Sequence, residues 1–240
     1  MDDHEYAEML RQTMVDLTQQ FSQPTEIDVT LSRVTAAAIE LIHGVDVADV
    51  LMIAGPDLFR SVAATDQLAV DLDAAQQQFG EGPCLDAAVG GAPVLCNDLH
   101  RDSRWPRFAK SAIAAGITSI LSFQLYTHNA RMGAMNLFGR EPGAFTPEAE
   151  AVAVMLATHA AIALIADDMQ LQFRSALASR DVIGQAKGMI MERFKVDAVR
   201  AFELLTRLSQ NSNVRVADVA AHLVARGSEP TSSQNLLGLA

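Results

Sequence analysis

Apolar residues recur every three or four positions along much of the chain, and this spacing predicts amphipathic helices. The predicted helices cover residues 2–22, 28–44, 66–79, 106–115, 198–210 and 216–225, with a turn and a short helix over 80–88. The first ends before Pro24, and Asp28 and Asp197 are placed to cap later ones.

Between these helices the period changes to two, and β-branched residues become frequent, which predicts strands. The predicted strands cover residues 45–53, 58–64, 93–96, 119–126 and 130–138, with turns at 55–57 and 127–129. Strands joined by short turns pair antiparallel. The pattern therefore predicts an α+β domain with an antiparallel sheet flanked by helices.

A single apolar stripe then continues from residue 151 to 177, and no helix-breaking residue follows Pro147 until Gly184. Thr146, Pro147 and the acidic residues that follow are a strong signal for a helix start. A periodic pattern of this length is typical of a coiled coil or a connector helix. Two helices with a break near 166–168 would also fit, but we favour one continuous connector.

The stretch 180–194 predicts an amphipathic helix with two faces. Its apolar stripe consists of Ile183, Ala186, Ile190 and Phe194, which we expect to hold a three-helix module together. Arg180 and Lys187 lie off the stripe. Gly184 and Gly188 lie inside the helix, where each costs about 1 kcal/mol relative to alanine. Either close packing of another helix or the approach of a ligand would explain them.

Together these patterns predict five segments. They are an N-terminal helix (1–25), a sheet domain (26–165), a coiled-coil-like connector (166–178, in a helix starting near 146), a three-helix module (179–227) and a loose tail (228–240).

Charge is distributed unevenly over these segments. Residues 1–171 carry nine basic and 23 acidic residues, a net charge of −14, whereas residues 172–227 carry nine basic and five acidic residues, a net charge of +4. A basic module on an acidic chain is a modest indication of nucleic-acid binding. Arg193, Arg200 and Arg207 are equally well explained as solvated charges on helices.

Composition excludes several other classes. Two cysteines and scattered histidines predict neither a disulfide framework nor a metal site, and no cofactor is predicted. No uncharged apolar run reaches 18 residues, and the acidic N-terminus does not resemble a signal peptide, so we expect a cytoplasmic protein without a membrane span. No catalytic set is recognisable, and we predict that the chain is not an enzyme. Asp71 and Asp73 are expected to be solvated helix charges.

The C-terminal module resembles an ANTAR domain, an RNA-binding antitermination module. The resemblance rests on Ala178, Arg180, Ile183, Gln185-Ala186-Lys187-Gly188-Met189-Ile190-Met191, Ala201-Phe202, Leu204-Leu205, Leu208-Ser209, Asn213, Arg215-Val216 and Asp218-Val219-Ala220. It covers about 50 residues in the family's order.

The middle domain is similar to GAF domains of the type that precede ANTAR modules in actinobacterial regulators. The resemblance rests on Gly80-Glu81-Gly82-Pro83-Cys84-Leu85-Asp86-Ala87, Asp98-Leu99, Arg104-Trp105-Pro106-Arg107-Phe108, Ala115-Gly116-Ile117, Ser119-Ile120-Leu121-Ser122 and Gly133-Ala134-Met135-Asn136-Leu137.

These resemblances imply a transcription antitermination regulator. A GAF sensor would control a dimeric ANTAR module that binds paired stem-loops in nascent transcripts. The implied RNA-binding residues are Arg180, Gln185, Lys187, Gly188, Met191, Ser209, Asn213 and Arg215, although Asn213 fits a turn equally well. An unidentified small molecule would bind at Cys84, Asp86, Trp105 and Phe108, although Cys84 also fits a buried small hydrophobe. The alternative is a GAF sensor whose helical module binds a protein and not RNA.

Overall fold

The computed structural model describes residues 3–20, 26–53, 59–126 and 132–227. The predicted break at Pro24, the turns at 55–57 and 127–129 and the tail at 228–240 lie outside these residues. Tertiary contacts divide the chain into an N-terminal unit, Met1–Asp168, and a C-terminal unit, Met169–Ala240.

The predicted α+β architecture is confirmed. In chain order the elements are α1 (Asp3–Gln20), α2 (Ile27–Leu41), β1 (Val47–Ile53), β2 (Phe59–Val62), α3 (Gln67–Phe79), α4 (Pro83–Gly90), β3 (Val94–Cys96), α5 (Pro106–Ala114), β4 (Ser119–Tyr126), β5 (Met132–Gly139), α6 (Pro147–Phe194), α7 (Ala198–Ser212) and α8 (Val216–Gly227). The five strands form one sheet in the order β2-β1-β5-β4-β3, and every neighbouring pair is antiparallel.

Alternation along the strands gives the sheet two buried faces. On one face Val50, Met135 and Leu137 pack against α1, α2 and the first part of α6. On the other face Ile120 and Phe138 pack against α3 and α5, and a smaller cluster joins the sheet to α4. Burying both faces explains why the strands contain few surface-type residues.

Polar caps account for several helix starts. The side chain of Asp66 accepts the Leu68 N–H at the start of α3, and Asp197 accepts the Arg200 N–H at the start of α7, both at 2.8 Å. The predicted cap at Asp197 is confirmed. The prediction for Asp28 is wrong, because α2 begins at Ile27 and Asp28 lies inside its first turn. A carboxylate there still faces the positive end of the helix dipole, so the sequence signal is similar.

Helix α6 is a single helix of 48 residues, Pro147–Phe194, which confirms the continuous connector. Thr146 Oγ1 accepts the Ala149 N–H at 3.2 Å at its start. By length and composition α6 contains a stretch that could cross a membrane, with a mean hydropathy of 1.9. In the N-terminal unit, however, Ala153, Leu156 and Ala160 of this stretch have no exposed surface and belong to the core.

The C-terminal unit has its own small core between α6, α7 and α8. Its buried residues are Ala186, Ile190, Ala201, Leu205 and Ala220. One predicted core residue is not in it, because Phe194 is 61% exposed. On α7, Phe202 is 45% exposed and Leu208 48%. The apolar stripes are wider than the contact between the helices, so residues at their edges remain open to solvent.

Candidate functional site

The sheet of the N-terminal unit carries a row of polar residues across its centre. The strand register places Asp49 of β1 opposite Asn136 of β5, and Asn136 opposite Ser122 of β4. Asn136 donates to Asp49 Oδ1 at 3.0 Å and accepts from Ser122 Oγ at 2.9 Å. All three residues are fully buried on the side of the sheet that faces α3.

Asp73 of α3 covers this row and is itself buried. Ser61 Oγ donates to Asp73 Oδ2 at 2.6 Å, and Gln76 Nε2 lies 3.4 Å from Asp73 Oδ1. The expectation that Asp73 is a solvated helix charge is therefore wrong. Its neighbour Asp71 is exposed and bonds to Gln67, as expected for the outer face of the same helix.

Burial disfavours the ionised forms of both carboxyls. Burial, and then the charge of Asp73, raises the pKa of Asp49 well above its usual value. Burial also raises the pKa of Asp73, while hydrogen bonds from Asp49 and Ser61 oppose that rise. Among the described residues Asp49 Oδ2 has no hydrogen-bond partner, which adds to the cost of a charge there, so we infer that the pair holds one proton near neutral pH.

The same face holds a second unsatisfied oxygen. Gln124 Nε2 donates to the Ala88 carbonyl at 2.5 Å, but its Oε1 is buried without a donor among the described residues. A buried acceptor without a partner costs about 1–3 kcal/mol. Sequence analysis missed all of these groups, although a polar residue at an inward position of a buried strand, such as Asp49 or Asn136, is the available signal.

The Gly-Glu-Gly-Pro-Cys segment, residues 80–84, leads into α4 and makes hydrogen bonds with α3 and α5. Glu81 Oε1 accepts the backbone N–H of Phe108 at 3.0 Å and caps α5. Gln76 Oε1 of α3 accepts the Cys84 N–H at 2.9 Å. A Cβ at Gly82, where φ is +151°, would lie 2.2 Å from Gln76 Oε1, so only glycine fits there.

Three of the four predicted pocket residues are brought together. Trp105 and Phe108 are buried in the same core cluster beside α3 and α5, and Trp105 Nε1 donates to Asp86 Oδ2 at 2.9 Å. Cys84 is fully buried in the smaller cluster at α4.

Both cysteines are free, buried thiols. Burial, with the charges of Asp73 and Asp49, raises the pKa of Cys84 well above its usual value. Burial, with a hydrogen bond to Asp102, raises the pKa of Cys96 to about 11. Because the thiolate is the reactive form, both thiols are protonated and inert near neutral pH.

In the C-terminal unit the predicted RNA-binding residues differ in their exposure and in their contacts with other residues. Arg180, Gln185 and Gly188 are exposed on α6. Lys187 is half-buried, with Nζ 5.9 Å from the centre of the exposed Phe202 ring, which is within cation–π distance.

The other four predicted RNA-binding residues have structural contacts. Met191 packs against the core of the unit. Ser209 Oγ donates to the Val214 carbonyl at 2.5 Å, and Arg215 Nε pairs with Asp218 at 2.8 Å. Asn213 ends α7 in the left-handed conformation, with φ of 52°. Asn213 therefore acts as a turn residue.

The two glycines of α6 are open. A Cβ added at Gly184 or Gly188 would meet no atom of the described chain within 4 Å, apart from the helix's own nearby backbone. Close packing within the chain therefore does not explain them. They lie four residues apart, next to Lys187, and form a smooth strip on the helix surface.

Comparison with known families matches this architecture. A GAF domain model matches residues 24–165, and an ANTAR domain model matches residues 171–224. The chain belongs to the GAF domain family. It combines a GAF domain with a C-terminal ANTAR domain, as in sensor-coupled regulators of transcription antitermination. The actinobacterial type stays a prediction.

Solved structures share the GAF fold at low identity. The GAF domain of a phosphoenolpyruvate-protein phosphotransferase from Coxiella burnetii is 17% identical with a TM-score of 0.51, over 69% of this chain and 98% of that one. The N-acylhomoserine-lactone-dependent LuxR-family factor CepR2 of Burkholderia cenocepacia is 16% identical with a TM-score of 0.53, over 66% and 96%. No curated protein matches the chain. Among the described residues no cluster of three or more His, Cys, Asp or Glu is arranged to hold a metal ion.

We predict that Asp49→Asn stabilises the GAF domain at neutral pH. The pKa of Asp49 is raised in the folded state, so its proton contributes fully to stability at pH values below the pKa of the unfolded state, about 3.9. This contribution is lost as the pH rises through the pKa of the folded state. Asparagine keeps an acceptor for Asn136 and offers Asp73 a permanent donor. We expect a gain of about 1–3 kcal/mol at pH 8 and a flatter pH dependence.

Urea unfolding between pH 5 and 9 measures this effect, with the fluorescence of the buried Trp105, the chain's one tryptophan, as the probe. Asp71→Asn on the exposed side of α3 is the control and should leave the pH dependence unchanged. An unaltered slope in Asp49→Asn would contradict the shared proton.

Proposed function

We propose that the chain is an RNA-binding transcription antitermination regulator. Its GAF domain receives a signal, and its ANTAR domain binds paired stem-loops in nascent transcripts as a dimer. The observation that carries this proposal is the open strip of Gly184 and Gly188, next to Arg180 and Lys187.

Two interior glycines weaken a helix by about 2 kcal/mol relative to alanine. Within the described chain they gain no packing contact in return. A smooth strip lets a phosphate backbone or a splayed base approach the helix closely, and the flanking cations neutralise phosphate. The net charge of +4 over residues 172–227 agrees with this use.

We predict opposite effects of Gly188→Ala on stability and on RNA binding. The added methyl group should stabilise the ANTAR domain by about 1 kcal/mol, because alanine favours the helix. The same methyl group blocks close approach, so the affinity for a transcript with two tandem hairpins should fall at least tenfold. Gel shifts at two salt concentrations and thermal unfolding measure the two quantities.

Two further variants help to interpret the result of that experiment. Lys187→Ala should also weaken RNA binding and reduce its salt dependence. Ser175→Ala, at an exposed position of the same helix, should leave RNA binding unchanged. If Gly188→Ala and Lys187→Ala bind the hairpins like the natural chain, the proposed RNA face is wrong, and a protein-binding module becomes the better interpretation.

Dimerisation is supported by exposed apolar residues on α6 within the C-terminal unit. Met169 and Phe173 are 66% and 65% exposed, and Leu177 is 44% exposed. They are spaced by four, so they share one side of the helix. A second copy of the same helix would bury this strip by coiled-coil packing.

We predict that Phe173→Glu converts the dimer to a monomer. Burying a large apolar side chain contributes about 1.5–3 kcal/mol, and a buried unpaired carboxylate adds a further penalty, so the dissociation constant should rise more than tenfold. Light scattering across a concentration series measures the mass. Gln170→Glu, also exposed on α6, should remain dimeric. A natural chain that is monomeric at all concentrations would refute this dimer.

For the sensor, we propose that a small molecule binds on the sheet face under α3, α4 and α5, where Cys84, Asp86, Trp105 and Phe108 lie. The buried acceptor Gln124 Oε1 and the Asp49–Asp73 pair support a ligand that donates hydrogen bonds. Entry requires α4 to move, since Cys84 beneath it is fully buried. We further propose a cytoplasmic protein without catalytic activity or a membrane span.

We predict that a small hydrogen-bond donor will raise the unfolding temperature of the full chain, because a ligand that binds only the folded state stabilises it. A panel of amines, amides and polyols tests this. Asp73→Asn should abolish the shift, and the exposed Asp71→Asn should preserve it. A panel without any shift, or a shift that survives Asp73→Asn, would contradict the proposed site.

A further inference from the structure

The ANTAR domain contains a groove that the proposed RNA face does not use. The groove has a volume of about 770 Å³ and lies between the end of α6, α7 and α8. Its apolar lining includes Ile190, Leu204, Leu208 and Leu223. Leu208 is 48% exposed, so it lies about half open at the surface of this groove.

Four arginines also line the groove: Arg193, Arg200, Arg207 and Arg226. Among the described residues, none of those that line the groove is acidic. Within the described ranges no ion pair is found for Arg193, Arg207 or Arg226, while Arg200 pairs with the exposed Glu203 at 2.7 Å. An exposed pair of this kind is weak and can be exchanged for another carboxylate. These arginines are exposed to solvent, and together they also give the groove a positively charged rim.

The dimensions suit a short helix. Along α7 the groove extends from Arg200 to Asn211, which is about 16 Å, or three helical turns. An amphipathic helix docked in a groove presents apolar anchors at spacings of three and four, and its flanking charges meet the rim. A mainly aliphatic lining with a rim of four arginines, three of them without an ion pair among the described residues, fits a helix with leucine-like anchors and acidic flanks.

We propose that this groove docks an acidic amphipathic helix from a protein partner. Nucleic acid is the weaker fit, because single-stranded bases bind by stacking on aromatic platforms, whereas Phe194 is the one aromatic residue among the 13 described residues that line the groove. The RNA face and the groove are also separate. Lys187, Gly188 and Ser209 are absent from the groove lining, and Lys187 lies against Phe202, which is absent from it as well.

The groove would give the ANTAR domain a protein-binding site that is separate from its proposed RNA face. A partner with an acidic helix can bind the ANTAR domain whether or not RNA is bound. Docking does not depend on RNA binding, so the two proposals fail or succeed independently.

The test uses fluorescent amphipathic peptides with the full chain. One set carries leucine, methionine or phenylalanine anchors with glutamate flanks, and the matched set carries lysine flanks. Fluorescence anisotropy should show saturable binding of glutamate-flanked peptides only, weakening as salt rises. Leu208→Gln, which removes an anchor contact without changing charge, should weaken peptide binding at least tenfold and leave hairpin RNA binding unchanged.

A charge exchange tests the arginines directly. The double variant Arg193→Glu with Arg207→Glu should lose the glutamate-flanked peptides and gain the lysine-flanked ones. Because this variant gains a ligand, misfolding does not mimic the result. Lys187→Ala is the control on the other face and should leave peptide binding unchanged.

Three outcomes overturn the proposal. The first is that no glutamate-flanked peptide binds at concentrations up to about 1 mM, which corresponds to about −4 kcal/mol. The second is equal binding of the two peptide sets. The third is displacement of the peptide by hairpin RNA together with an equal loss of RNA and peptide binding in Leu208→Gln, which would assign the groove to RNA.

Discussion

The GAF domain is built over a buried row of polar groups that must satisfy one another. Asp49, Asn136 and Ser122 lie side by side on three strands because the register of the sheet places them there. Asp73 completes the row from α3. Two carboxylates in one apolar environment cannot both be ionised at reasonable cost, so the row is stable only with a proton between them. The packing of α3 and α4 on the sheet follows from that arrangement.

Such a site is suited to sensing. A fully apolar core would be more stable but would offer no group to a polar ligand, whereas this core holds an acceptor, Gln124 Oε1, that no described donor satisfies. Its polar groups thus have a cost in the empty domain that a suitable ligand would remove. Binding would then select a form in which α4 has moved, which is the differential affinity that a conformational signal requires.

The sequence predicted elements better than it predicted burial. The bounds of β4 were predicted without error, because alternation and flanking turn residues define a strand locally. Asp73 was misjudged because its position on α3 has the same local pattern as the exposed Asp71. Only its contact with the row containing Asn136, 63 residues away, identifies it as buried. Phe194 was misjudged for a related reason: periodicity defines the direction of a stripe but not how far the next helix covers it.

The C-terminal helices place two different surfaces on one small domain. Consecutive residues on a helix point about 100° apart, so Lys187 and Met189 of α6, two positions apart, face nearly opposite sides. The first lies against Phe202, and the second lines the arginine-rimmed groove. Seven-residue spacing on α7 then extends each side, from Arg200 to Arg207 on the groove and from Phe202 to Ser209 on the other. A change in the conformation of α6 would therefore alter both the groove and the side that carries Lys187. A regulator that carries its sensor at the start of this same 48-residue helix therefore needs no additional element to influence either one.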